Sequence, residues 1–517
     1  MTSKEVELSS SPPPPSVGFA DGAYHERKQE YRSSSASARD EIAVTGEYTN
    51  FDFDDETTVG STSGNGGNGN NDKKSKSKLR SIWKAMNKGG TVFDGFLLAA
   101  SQEVGQVILT LPYIFSMVGM KSGIVLQFVF AAAALYTNAL LVNLHTEFRK
   151  RLRDDPSDPR GSDPHYVVSY HDIIGGLVGE RARAFTFAVV FFALLGLTTV
   201  QIIATSSNFY ILYDGIPKRT WSVVWGVAFS MVAFVPNFRH YRMLAVVGIL
   251  TTTYVSWYMT IEAASIGPGE DVVYDGPLDT EEWFRGMVSL MFVFGGHASN
   301  IEVADVMDDH ATYDRSYFYS FWYVFTLTLP NAVSAYRTFG GVSRYNPNSF
   351  NMYPQSTARD FGIVMMSLHQ LVAFGLFIGP VFHIWEHFLG VHGERFSKRV
   401  VCRLPLCACV VLIAVAFPFF GAINSVLGAF TTSFTTYIIP LVAFNLVFAN
   451  DDDAAGMAKP LPPRASLRWV RRLNWCLAGS LFVFGVGVGG WASVSNFVKQ
   501  IEYFDYFAEC YLCDAPN

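Results

Sequence analysis

Apolar positions in this chain gather into long runs separated by short polar connections, not into the alternation of a half-buried strand. Between residues 91 and 496 about eleven runs reach the roughly 20 residues that a helix needs to cross a bilayer. Two of them are interrupted midway. The first, from Thr91 to Tyr113, contains Ser101, Gln102, Glu103, Val104, Gly105 and Gln106, and another, from Trp283 to Met307, contains Gly295, Gly296 and His297. An unpaired peptide group in hydrocarbon costs several kcal/mol, so a membrane helix unwinds only where protein or a water-filled cavity satisfies the freed groups. The pattern predicts helices broken near 101–106 and 295–297, both bordering a cavity and offering partial charges suited to a carboxylate and a coupling cation. Four unbroken runs separate the two breaks, the spacing expected of two inverted five-helix repeats, with one further helix after them.

Composition agrees: half of the residues are hydrophobic and only 16% are charged, which places the chain among all-α polytopic membrane proteins and not soluble enzymes. Residues 1–90 are rich in Ser, Pro, Gly, Asn and Asp and predict a disordered cytosolic tail, since they cannot bury enough apolar surface to fold. The basic end of this tail, Lys73 to Arg80 followed by Trp83 and Lys84, suits either anionic membrane lipid or a solvated stop before the first span. Basic residues fall in alternate connections: Arg149, Lys150, Arg151 and Arg153; Arg239 and Arg242; Arg395, Lys398, Arg399 and Arg403; Lys459, Arg464, Arg468, Arg471 and Arg472. By the positive-inside rule these are cytosolic, which puts residues 497–517 outside the cell. The stretch around His171 is too short and Gly-rich to cross and reads as a surface helix or re-entrant lid, and residues 450–463 read as a linker. Cys510 and Cys513 form a C-x-x-C pair open to metal, redox and disulfide readings, a short extracellular disulfide being expected.

The residues able to carry chemistry cluster at the breaks. Glu103 is a carboxylate in mid-membrane, where ionisable groups face a cavity and handle an ion or substrate, unless the group is simply protonated or paired within the bundle. Ser101, Gln102 and Gln106 add donors and acceptors along the same turn. His297 titrates near physiological pH and can hold an anion when charged. Glu302, roughly 7 Å further along at about 1.5 Å per residue, is either a proton relay or an inner-gate salt bridge. Thr198, Gln201, Thr205 and Asn208 line one face of the third span; most should bind neighbouring helices, with Gln201 the candidate substrate contact. His369 with Gln370 is a similar pair, and Trp257, Tyr258, Phe292 and Phe294 offer aromatic walls. No Walker-type loop, metal-spaced His/Cys cluster or Ser/His/Asp set stands out, so no cofactor, metal or nucleic-acid partner is expected.

Several of these stretches resemble the amino acid/auxin permease family, and within it the plant auxin influx carriers. The resemblance runs from Phe93 to Phe96, Leu111 to Tyr113, and Gly119 with Met120, through Gln201 to Asn208, Thr252 to Tyr254 and Phe294 to Ala298 with Glu302. It continues with Leu327 to Pro330, His369 with Gln370, Phe417 to Gly421, Ile423 to Ser425 and Tyr437 to Pro440, and so spans nearly all of residues 90–450. It implies a five-plus-five bundle with one extra helix and proton-driven import of indole-3-acetic acid across the plasma membrane. Gln102, Glu103, Gln106 and His297 would surround the substrate, His297 facing its carboxylate. The plant first-helix motif reads Asn-Gln where this chain has Gln102-Glu103, and a charged Glu103 would repel an anionic auxin. Three readings follow: Glu103 is the protonated coupling site; the substrate is instead an aromatic or neutral amino acid whose ammonium pairs with Glu103; or the chain is a non-transporting membrane sensor.

Overall fold

The computed structural model describes residues 90–161, 166, 168–235, 241–305, 307–450, 456–459, 466–507 and 511. The predicted cytosolic tail up to residue 89, most of the 450–463 linker and both Cys510 and Cys513 lie outside them. The described residues form helices α1 (Val92–Glu103), α2 (Val107–Val118), α3 (Met120–Asp154), α4 (Tyr170–Leu177), α5 (Glu180–Leu212), α6 (Lys218–Ser230) and α7 (Tyr241–Ile266). There follow α8 (Thr280–Val293), α9 (His297–Asp305), α10 (Tyr313–Phe339), α11 (Thr357–Phe388), α12 (Phe396–Ala416), α13 (Phe420–Val447) and α14 (Leu467–Phe504).

Local chemistry sets the helix starts. A reciprocal capping box opens α1: the Asp94 amide donates to Thr91 Oγ1 at 3.3 Å and the Thr91 amide donates to Asp94 Oδ2 at 3.0 Å. Asp279 caps α8 by accepting from the Glu282 amide at 2.7 Å. The stretch around His171 becomes the eight-residue α4, and the last long helix runs past the expected boundary at 496 to Phe504.

Seven helices among the described residues are long and apolar enough to cross a membrane: α3, α5, α7, α11, α12, α13 and α14. The pair α1 and α2, bent by 53° at its break, makes an eighth. The other three expected crossings do not meet that standard. In α6 the helix is only 13 residues long, α8 and α9 are each short and separated by the second break, and α10 has the length but alternates aromatic with Ser, Thr and Asn residues. Burial separates centre from rim: 72% of the apolar stretch is buried in α11 and in α13, against 39% in α12 and 33% in α14. The bundle is therefore built around α11, which packs on α5 and α7, and around α13, whose middle is π-helical from Leu427 to Ile438.

Candidate functional site

The two interrupted segments meet. After Glu103 the chain leaves the helix, Val104 being extended (φ −94°, ψ 110°), and re-enters it at Val107. Opposite, α8 stops at Val293 and α9 starts at His297. Ser299 Oγ on α9 donates to Gln102 Oε1 at 2.8 Å. Gly296 lies under the Glu103 side chain, so close that an added Cβ would sit 3.0 Å from both Cγ and Oε1 of the glutamate. Glycine is what permits this approach.

A cavity of about 30 Å³ lies at the junction, enough for one or two water molecules. Gln102, Glu103, Gln106, Gly295 and Gly296 wall it from the breaks, Gln201 from α5, and Phe292, Ala373 and Phe377 supply apolar sides. Four of its buried polar atoms, Gln102 Nε2, Glu103 Oε1, Gln106 Oε1 and Gln201 Oε1, have no hydrogen-bond partner among the described residues. Leaving a buried polar atom unpaired costs about 1–3 kcal/mol, and these four belong to residues that line one cavity. Six of the nine candidate substrate contacts thus share a single cavity.

The other three do not line it. His297 turns away, its Nε2 lying 3.1 Å from the Ala134 carbonyl and 3.2 Å from Thr137 Oγ1 on α3, with the ring edge-on to Tyr317 at 5.5 Å. Nε2 is thus committed to α3, while Nδ1 has no hydrogen-bond partner among the described residues. His369 Nδ1 lies 3.2 Å from the Gly248 carbonyl on α7, and its Nε2 presses on the break itself, 2.9 Å from where a Gly105 Cβ would be. Ser101 lies against the same Gly248. Gln370 is structural: its Oε1 accepts from Thr205 Oγ1 at 2.6 Å and Asn208 Nδ2 at 3.2 Å, clamping α11 to the polar face of α5 as that face predicts. Of the four expected aromatics, Phe292 lines the cavity and Trp257 is 42% exposed on the outer surface.

Sequence reasoning missed the groups that hold Glu103. Its Oε2 accepts from Ser320 Oγ at 3.1 Å, the Tyr317 hydroxyl lies beside the same carboxylate, and the buried Tyr313 stands one turn before Tyr317. Residues 313, 317 and 320 share one face of α10, and that spacing of hydroxyls in an apolar run is the overlooked signal. Glu302, considered for an inner-gate salt bridge, has no ion pair among the described residues; the pairs nearby are made by Asp305. Asp305 pairs with Arg149, lies 3.3 Å from His145 Nε2 and accepts the Val168 amide at 2.7 Å. At the opposite end Arg344 binds Glu282 at 2.9 Å, Asp275 at 2.8 Å and the Ser116 carbonyl of α2 at 3.2 Å. None of these ion-paired residues lines the cavity itself. The expected absence of a metal-spaced histidine cluster is corrected elsewhere: His383, His387 and His392 bring candidate ligand atoms within 4.8 Å of one another.

Residues 88–459 match the family described as transmembrane amino acid transporter protein. The chain belongs to this family. It is therefore a multi-pass membrane transporter and not an enzyme. Among its relatives, auxin transporter-like protein 1 of Medicago truncatula is 36% identical over 429 residues, covering 82% of this chain and 88% of the relative. Auxin transporter protein 1 of Arabidopsis thaliana is 36% identical over 428 residues, covering 82% and 87%. Among solved structures, a manganese transporter of Eremococcus coleocola aligns over 82% of this chain and 89% of its own with 14% identity and a TM-score of 0.48.

Proposed function

We propose that this transporter imports auxin, indole-3-acetic acid, across the plasma membrane with protons by alternating access. Eleven crossings would form a five-plus-five bundle with one extra helix, the N-terminus cytosolic and the C-terminus extracellular. The observation that carries the reading is the small cavity at the junction of the two breaks, with four unpartnered polar atoms on the residues that line it; the names of the relatives supply the substrate. At about 30 Å³ the cavity is far smaller than the roughly 300 Å³ or more of a pocket for a drug-sized molecule. Loading thus requires the breaks to separate. Glu103, with its hydroxyl partners on α10, is the proton-coupling group in this reading: protonated, it ceases to repel a carboxylate and donates a hydrogen bond. Glu302 and His297 are the further proton-handling candidates on α9.

A second reading rests on the same Glu103. Its carboxylate lines the cavity and would pair with an ammonium, so an aromatic or neutral amino acid is the alternative substrate. Uptake of labelled indole-3-acetic acid and of labelled tryptophan, at acidic and neutral outside pH with and without a protonophore, separates the two. Acid-stimulated auxin uptake supports the first, tryptophan uptake alone the second, and no uptake of either favours a sensor.

A further inference from the structure

The cytosol-predicted end of α11 carries a feature that transport does not use. His383 and His387 stand one turn apart, at i and i+4, so their side chains are neighbours. The helix then stops in a Schellman turn: the Gly390 amide donates to the His387 carbonyl at 3.1 Å and the Val391 amide to the Glu386 carbonyl at 2.9 Å, with Gly390 at φ +68°. The turn folds the chain back so that His392 returns to the same face. Ring centroids lie 4.5 Å apart for His383 and His387, 4.2 Å for His387 and His392, and 4.8 Å for His383 and His392.

We propose that His383, His387 and His392 form a three-histidine site for a zinc-class transition-metal ion. Imidazoles are ligands of choice for such ions, and three protein nitrogens with one open position is a known arrangement for zinc. Candidate ligand atoms are already within 4.8 Å; tetrahedral zinc at about 2.0–2.1 Å from each nitrogen needs about 3.3 Å between them, a difference that side-chain rotation spans. A second observation points the same way. His392 Nδ1 lies 3.1 Å from Glu386 Oε2, and the fully buried Glu386 is paired with Arg399 at 2.9 Å and Arg403 at 2.6 Å. A carboxylate behind one ring nitrogen fixes the tautomer and presents the other to a metal. The cluster opens on a cleft of about 720 Å³ that Asp172 and His171 also border, leaving the fourth position to water.

The test is equilibrium binding of Zn²⁺ to the purified full-length protein, compared with a His383→Ala/His387→Ala/His392→Ala variant so that binding by its cysteines is subtracted, with Mg²⁺ as control. One additional Zn²⁺ per chain, not displaced by Mg²⁺, is expected. The exposed His387 permits the single change His387→Gln without disturbing the core, and this should weaken that binding by about 100-fold, while Glu386→Gln weakens it by about 10-fold. Equal Zn²⁺ binding by the parent and the triple variant, or an unaltered affinity in His387→Gln, overturns the proposal.

Discussion

Asp305 provides the sharpest test of how the cavity is kept shut. Its side chain is 4% exposed and ties α9 to Arg149 and His145 of α3 and to the Val168 amide. Replacement by Asn preserves shape but removes the charge and one acceptor. Hydrogen bonds to charged groups contribute about 1.5–3 kcal/mol, and Arg149 at 21% exposure recovers part of its loss from water. About 2 kcal/mol is the resulting weakening, equivalent to a shift of about 30-fold between two states. If these contacts exist only in the closed form, that shift appears as opening toward the Arg149 end. The reporter is Ser299→Cys, at a buried position bonded to Gln102 at 2.8 Å, in a background with the other cysteines changed to Ser. Modification by a membrane-impermeant maleimide from the cytosolic side should be about 30-fold faster in Asp305→Asn. A rate within about threefold of the parent, in protein that remains folded by thermal melting, would refute the role of Asp305 as a lock.

Other predictions concern the junction. Glu103→Gln keeps the contact with Ser320 but cannot take up a proton, so the ratio of uptake at acidic to neutral outside pH should fall to near one. Gly296→Ala places a Cβ 3.0 Å from the Glu103 side chain; overpacking of about 1–3 kcal/mol should lower uptake roughly 5- to 150-fold at unchanged surface expression. Gln370→Leu removes the acceptor shared by Thr205 and Asn208, which keep their bonds to the Gln201 carbonyl, Ser367 and Asn348, and should lower the melting temperature, at a cost of about 0.5–1.5 kcal/mol, while leaving the KM of the remaining transport unchanged; a raised KM would place Gln370 in the binding site instead.

Much of the architecture is legible in one dimension because a bilayer imposes a one-dimensional rule: every crossing must be a long apolar helix, and every interruption must be satisfied from outside it. The runs of apolar residues, the breaks at 101–106 and 295–297 and the polar stripe from Thr198 to Asn208 are consequences of that rule and can be read without coordinates. Hydropathy also has a limit. It leaves α6, α8 with α9, and α10 short of the standard for a crossing, because α6, α8 and α9 are brief and α10 carries polar residues, among them the buried Ser316, Ser320, Thr328 and Asn331.

What tertiary structure alone decided is direction and partnership. Spacing places His297 beside a break, but only the approach of α3 shows its nitrogen committed to the Ala134 carbonyl and turned from the cavity. Glu302 and Asp305 are three residues apart on one helix, and which of them meets Arg149 depends on the angle at which α9 crosses α3. Ser320 lies more than 200 residues from the Glu103 that it holds, and His392 joins His383 and His387 only because the chain reverses at Gly390. A helical period says which residues share a face. It does not say what that face meets, since this depends on packing between segments distant along the chain, and there the chemistry of this transporter is decided.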